Sequence, residues 1–179
     1  YFRTGVRPTI IFDQSKIGAN GVVIGSSATD QLGTVSTDPV TEVSPQLDLR
    51  LKFSKSMDLA SLKATTVRLT GNASGSSVTS VTNLVFRLSD LYDSGHPMYE
   101  KLSVSQETSS FTNDVLRVQT VHVSGVPAFL LLENNDYRVE LDTVVAKDQF
   151  GLPLNQGVVS LYFRTGVRPT IIFDQSKIG

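Results

Sequence analysis

The first eighteen residues, Tyr1 to Gly18, read YFRTGVRPTIIFDQSKIG, and the last eighteen, Tyr162 to Gly179, repeat them letter for letter. A chain that returns to its own beginning after 161 residues is expected to be one period of a tandem array plus the start of another. That period is too long for a solenoid repeat. It suits an independently folded domain, since a chain of this size buries roughly 70% of the surface its unfolded form exposes. Identity extends to exchangeable surface positions such as Gln14/Gln175 and Lys16/Lys177, which is more than a shared fold requires and points to recent duplication or deliberate design. The expected boundaries are residues 1–5 as the end of a preceding repeat, 6–166 as one unit, and 167–179 as the start of the following repeat. Within the unit, a lead-in over 6–42 precedes a sandwich core over 43–166.

Composition narrows the function classes. There is no Cys, so disulfides and thiolate metal sites are excluded, and a cysteine-free chain suits a fibre exported unfolded. The second copy of the repeated segment contributes Arg164, Arg168 and Lys177 against Asp174; without it one unit holds 13 basic and 16 acidic residues, a net charge of −3. Mild acidity argues against nucleic acid and anionic lipid as partners. No apolar run reaches transmembrane length, so direct membrane contact is not expected.

Val, Thr and Ser dominate and turn residues recur at short intervals, which predicts an all-β antiparallel sandwich. The clearest strand is Leu47 to Phe53, where Leu47, Leu49, Leu51 and Phe53 alternate with charged residues. Tyr137 to Thr143 and Val159 to Arg164 alternate in the same way, with Phe163 facing inward. Weaker strands are expected at Thr66–Thr70, Val81–Leu88, Lys101–Ser105 and Val115–Val123, the last with a bulge where its phase changes. Pro8–Asp13 and Gly21–Ile24 add short strands near the start. Asp58 to Leu62 opens with an N-cap and predicts one helical turn. Gly71 to Ser77 reads as a hairpin tip that carries the sequon Asn72-Ala73-Ser74, and Ile17 to Val43 reads as a loosely packed lead-in.

Four pieces then occur in order: Leu51-Lys52-Phe53-Ser54-Lys55-Ser56-Met57-Asp58, Asn134-Asn135-Asp136-Tyr137-Arg138-Val139-Glu140-Leu141, Lys147-Asp148-Gln149-Phe150-Gly151-Leu152-Pro153-Leu154 and Leu161-Tyr162-Phe163-Arg164-Thr165-Gly166. Over roughly Val43 to Gly166 they resemble the bacterial Ig-like domains first described in S-layer proteins, whose usual wording is F-S-x-x-M-D, Y-x-V-x-L, D-x-x-G-N-P-L and F-x-T-G. The resemblance implies an Ig-like sandwich. Leu152 stands where the family has Asn, and the stretch before Val43 is longer than the family needs, which leaves room for an extra N-terminal strand or a partner-contacting segment at Pro8–Asp13. The residues carry their own physics. Asp148 is suited to folding its carboxylate onto nearby backbone N–H groups, Gly151 to a positive φ, and Pro153 to stiffening the exit of the turn. Tyr137 suits a tyrosine corner, with its ring in the core and its hydroxyl on backbone.

Catalytic chemistry finds no support. His96 and His122 are the only imidazoles and lack metal-ligand spacing. No Gly-x-Ser-x-Gly elbow exposes a nucleophile. Oxygen-rich clusters at Asp90-Leu91-Tyr92-Asp93 and Asn134-Asn135-Asp136 make Asp90, Asp93 and Asp136 the calcium candidates, although turn chemistry explains the same residues and no cofactor is expected. An intramolecular isopeptide bond would need a buried Lys beside a buried Asn or Asp. Alternation points Lys52 outward, so no such pair is expected.

The repeat and the resemblance together imply a structural unit of an extracellular bacterial fibre or adhesin stalk, secreted or held at the cell surface. Its partners would be neighbouring identical repeats, with a host or cell-surface ligand bound elsewhere in the protein. The mechanism would be mechanical, helped by the proline-stiffened junction Thr165-Gly166-Val167-Arg168-Pro169. One alternative is a glycan- or protein-binding module acting by avidity through Leu88 to Met98, near Tyr92 and Tyr99. Another is an accessory domain of a secreted enzyme, which tandem copies disfavour.

Overall fold

The computed structural model describes residues 4–11, 22–24, 39–73, 83–155 and 158–167, which form an all-β sandwich. In chain order the strands are β1 (Ile10–Ile11), β2 (Val22–Ile24), β3 (Val40–Val43), β4 (Asp48–Phe53), β5 (Thr66–Ala73), β6 (Asn83–Arg87), β7 (Leu102–Glu107), β8 (Val115–Thr120), β9 (His122–Val123), β10 (Val126–Pro127), β11 (Asn135–Asp142) and β12 (Val158–Thr165). A single helical turn, α1 (Leu59–Lys63), joins β4 to β5. Its cap is Asp58, whose carboxylate accepts the Ser61 N–H at 2.9 Å.

One sheet runs β1-β4-β8-β7, with β2 also on β4; the other runs β3-β12-β11-β5-β6. The longer strands divide as β4, β8 and β7 on one sheet and β12, β11 and β5 on the other. Pairing is antiparallel except for β2 on β4 and β3 on β12. The inner faces meet in one apolar cluster, in which Leu49, Leu51 and Phe53 of β4 and Leu161 and Phe163 of β12 are each at most 3% exposed. Among the described residues a void of about 10 Å³ lies between the sheets, lined by Leu49 and Val118 on one side and Val67, Leu69 and Val139 on the other. That void has room for a water at most.

Several local expectations change. Lys52 does not face water: it is 8% exposed, because the loop before β8 folds over it and its ammonium donates to the Ser110 hydroxyl at 3.1 Å. The phase change in Val115–Val123 is not a bulge. Strand β8 ends at Thr120, and His122–Val123 leaves the sheet to pair with Val126–Pro127 as a separate ribbon. Gly71 is not at a hairpin tip but within β5, where the Tyr137 ring lies so close that a Cβ on Gly71 would sit 2.5 Å from it. Asn72 accordingly is a strand residue paired opposite Asp136. The lead-in contributes short strands: β1 and β2 share one edge of β4, and β3 extends the other sheet. Of the expected Pro8–Asp13 strand, Ile10–Ile11 is strand; Phe12 and Asp13, most of Ile17–Val43, the tip residues beyond Ala73 and the segment after Val167 lie outside the described residues.

Candidate functional site

Chemistry concentrates at the two ends of the sandwich, where the repeated segment meets the body. At the lower end, Asp148 organises the turn before β12. Its Oδ1 accepts N–H bonds from Phe150 and Leu152, both at 2.9 Å, while Gly151 holds the turn at φ +87°. Its Oδ2 accepts from Lys55 Nζ at 2.6 Å, and the carboxylate is fully buried. Burial pushes the Asp148 carboxyl up, but the Lys55 hydrogen bond, the two backbone N–H groups and the Lys55 charge outweigh it, so the group sits below its ordinary value and stays ionised. This is an ion pair between an ammonium and a carboxylate, not the neutral pair from which an amide cross-link would form.

Lys55 then reaches further, donating to the Val6 carbonyl at 2.7 Å. Arg7 donates through Nε to the Pro153 carbonyl at 3.0 Å and through a terminal nitrogen to the Leu154 carbonyl at 2.7 Å. The Asn155 N–H donates to the Pro8 carbonyl, Ser54 and Thr9 exchange hydrogen bonds, and Ile10 enters the core at 5% exposure. Val6 to Ile10 is therefore seated residue by residue. The same seat stitches the first and third sequence pieces together: Met57 bridges to Asp148, and the Ser61 hydroxyl meets both the N–H and the carbonyl of Lys147.

At the upper end, Tyr137 stacks on Phe163 with ring centroids 5.6 Å apart, and its hydroxyl accepts the Leu132 N–H at 2.9 Å. Burial raises the Tyr137 phenol, and the Leu132 N–H offsets only part of the rise. Thr165 donates its hydroxyl to the Leu132 carbonyl at 2.6 Å and accepts the Asn135 N–H at 3.0 Å. Beyond it, the Gly166 N–H donates to the Val43 carbonyl at 2.9 Å and the Gly166 carbonyl accepts the Asn134 N–H at 3.4 Å.

The three calcium candidates do not converge. Asp90 caps the 3-10 turn Leu88–Tyr92 by accepting the Arg87 N–H, and Asp93 accepts the Gly95 N–H. Asp136 is opposite Asn72, whereas Arg87 is opposite Thr66, so about 20 Å of β5 separates Asp136 from that turn. Asp136 is already paired with Arg164 through both oxygens, at 2.7 and 3.2 Å. Among the described residues no three His, Cys, Asp or Glu side chains gather as a metal site. His122 meets the Gln46 side chain, and His96 lies 3.7 Å from Asp90. Tyr92 is half exposed, but its hydroxyl both donates to and accepts from Val104 backbone and Lys63 lies over its ring, so it serves the framework.

Lys55, Arg7, Thr165 and Asp114 are missed by residue-level reading. Asp114 is fully buried and accepts N–H bonds from Ser109, Ser110 and Phe111. Burial pushes its carboxyl up, yet these donors and the Lys52 charge bring it below its ordinary value. A polar run Ser109-Ser110-Phe111-Thr112-Asn113 ending in Asp is a turn signature that could have found it. Lys55 and Arg7 had no such signal, because their partners, the Asp148 carboxylate and the Val6, Pro153 and Leu154 carbonyls, are distant in sequence. Comparison of the chain with protein-family models, with curated proteins and with solved structures finds no match in any of the three.

Proposed function

We propose that this chain is a structural repeat unit of an extracellular bacterial fibre or adhesin-type stalk, which projects a distal binding region from the cell surface. The observation that carries the reading is where the duplicated segment meets the body. Pro8 is bound at Asn155, just before β12, and Gly166 is bound at Val43, just after it. The eight residues of β12 separate those points by roughly 25 Å, so the chain is taken in at one end of the sandwich and let out at the other. Identical sequence at both places allows copies to follow one another end to end. Each unit acts as a spacer, and its work is to hold length under load.

Small-angle scattering of chains with one, two and three copies tests this. The maximum dimension is expected to grow by a similar increment with each copy, with or without a calcium chelator. A dimension that fails to grow would sink the spacer reading. Collapse on chelation alone would keep the spacer and make calcium part of it.

A further inference from the structure

We propose that Gly166 is a shared joint, gripped by the upper end of one copy and the lower end of the next, so that adjoining units lock with no free linker; this rests on reading the chain as a unit of a tandem array. Residues 166–172 are identical to residues 5–11. Every contact that seats Val6 to Ile10 here is therefore open to residues 167–171 on a following copy: Lys55 to the first carbonyl, the arginine to the Pro153 and Leu154 carbonyls, Asn155 to the proline carbonyl, and pairing with β4. On its near side Gly166 is held through both its N–H and its carbonyl. The last residue bound to one copy thus directly precedes the first residue bound to the next.

The glycine itself records both grips. As residue 166, a Cβ would lie 3.0 Å from Glu42 Oε2 and 3.4 Å from Glu42 Cα; as residue 5, a Cβ would lie 2.5 Å from Leu152 Cδ1. A residue has one Cβ position, so Glu42 of one copy and Leu152 of the next would both approach that position and lie within about 5.5 Å of each other. A side chain at this position would have to displace the Leu152 and Glu42 side chains. Glu42 and Asn134, the two residues against Gly166, hold φ of 57° and 51°, in the left-handed region that non-glycine residues rarely occupy. Two of the five non-glycine residues with positive φ among the described residues thus lie at the joint. The apolar side chains left exposed at the two ends, Leu130, Leu132 and Val167 above and Val144 and Phe150 below, are what such a contact would cover.

The test uses a two-copy chain in which Gly179 continues directly into residue 19 of a second copy. The protein has no cysteine, so Glu42→Cys in the first copy with Leu152→Cys in the second gives an isolated pair. Mild oxidation is expected to join the two thiols within one chain, read as a loss of two hydrogens by mass, while each single-cysteine parent shows no such loss. Four Gly/Ser residues inserted after Gly166 are expected to slow the joining by about tenfold, because the local concentration of the thiols falls. Without any substitution, ¹⁵N relaxation of the two-copy chain is expected to report one rigid body. Thiols that stay apart, an insertion without effect, or copies that tumble as fast as a single unit would each overturn the joint. A dimension that grows with copy number while the thiols stay apart keeps the stalk and removes the joint, so the two readings fail separately.

Discussion

A carboxylate taken out of water is tolerated only when donors surround it, and Asp148 has three: two backbone N–H groups and Lys55. Asp148→Ala removes the partner of Lys55 and the organiser of the turn, and is expected to cost roughly 3 kcal/mol in urea melts. Because the folded carboxyls of Asp148 and Asp114 lie below their unfolded values, the stability they contribute is present above about pH 4 and is lost as pH falls through the folded values. Acid melts of Asp148→Asn should therefore show a shallower fall than the parent over that window. Tyr137 has the opposite sign: its raised phenol contributes stability below about pH 10 that is lost as pH rises through the folded value. Tyr137→Phe is expected to lose about 1 kcal/mol near neutrality and to flatten the alkaline limb. The roles of Asp148 and Tyr137 could be argued from their own chemistry and neighbours in sequence. Those of Lys52 and Lys55 could not, since both depend on segments that fold over them from far along the chain.

Among the elements, β4 gives the sharpest check. Leu49→Ala and Leu51→Ala are each expected to cost about 2–5 kcal/mol, because both side chains fill the space between the sheets. Arg50 lies in a ladder of charges with Asp48, Glu107 and Arg117 on the outer face. That ladder is partly exposed, so Arg50→Ala is expected to cost less than about 1 kcal/mol. Lys52→Ala should cost more than Arg50→Ala, since Lys52 is buried beside Asp114; equal losses would show that the covering loop contributes nothing. Long alternating strands were legible because period two reports which face is buried. The short strands β3 and β10 were not, since two to four residues carry no period and their pairing is set by whichever edge is free, whereas β2 falls within the expected Gly21–Ile24 strand.

At the scale of the molecule, the all-β sandwich follows from strands whose faces are already written in alternation, while the order in which they pair does not. The repeat was legible as repetition alone; that its two copies bind at opposite ends required the fold. One further consequence lies in β3, which joins the sheet beside β12 in parallel, with Val40 opposite Phe163 and Val43 opposite Thr165. When the two ends of the chain are drawn apart and β1 and β2 have come off β4, β3 is pulled toward its start and β12 toward its finish. Parallel neighbours pulled in this way must slide along each other, so their hydrogen bonds are sheared together instead of being unzipped one at a time. Force spectroscopy through the ends should then find a higher rupture force for the intact pair than for a Val43→Pro variant. That substitution leaves the Val43 carbonyl in place for Gly166 but disturbs the strand that holds it.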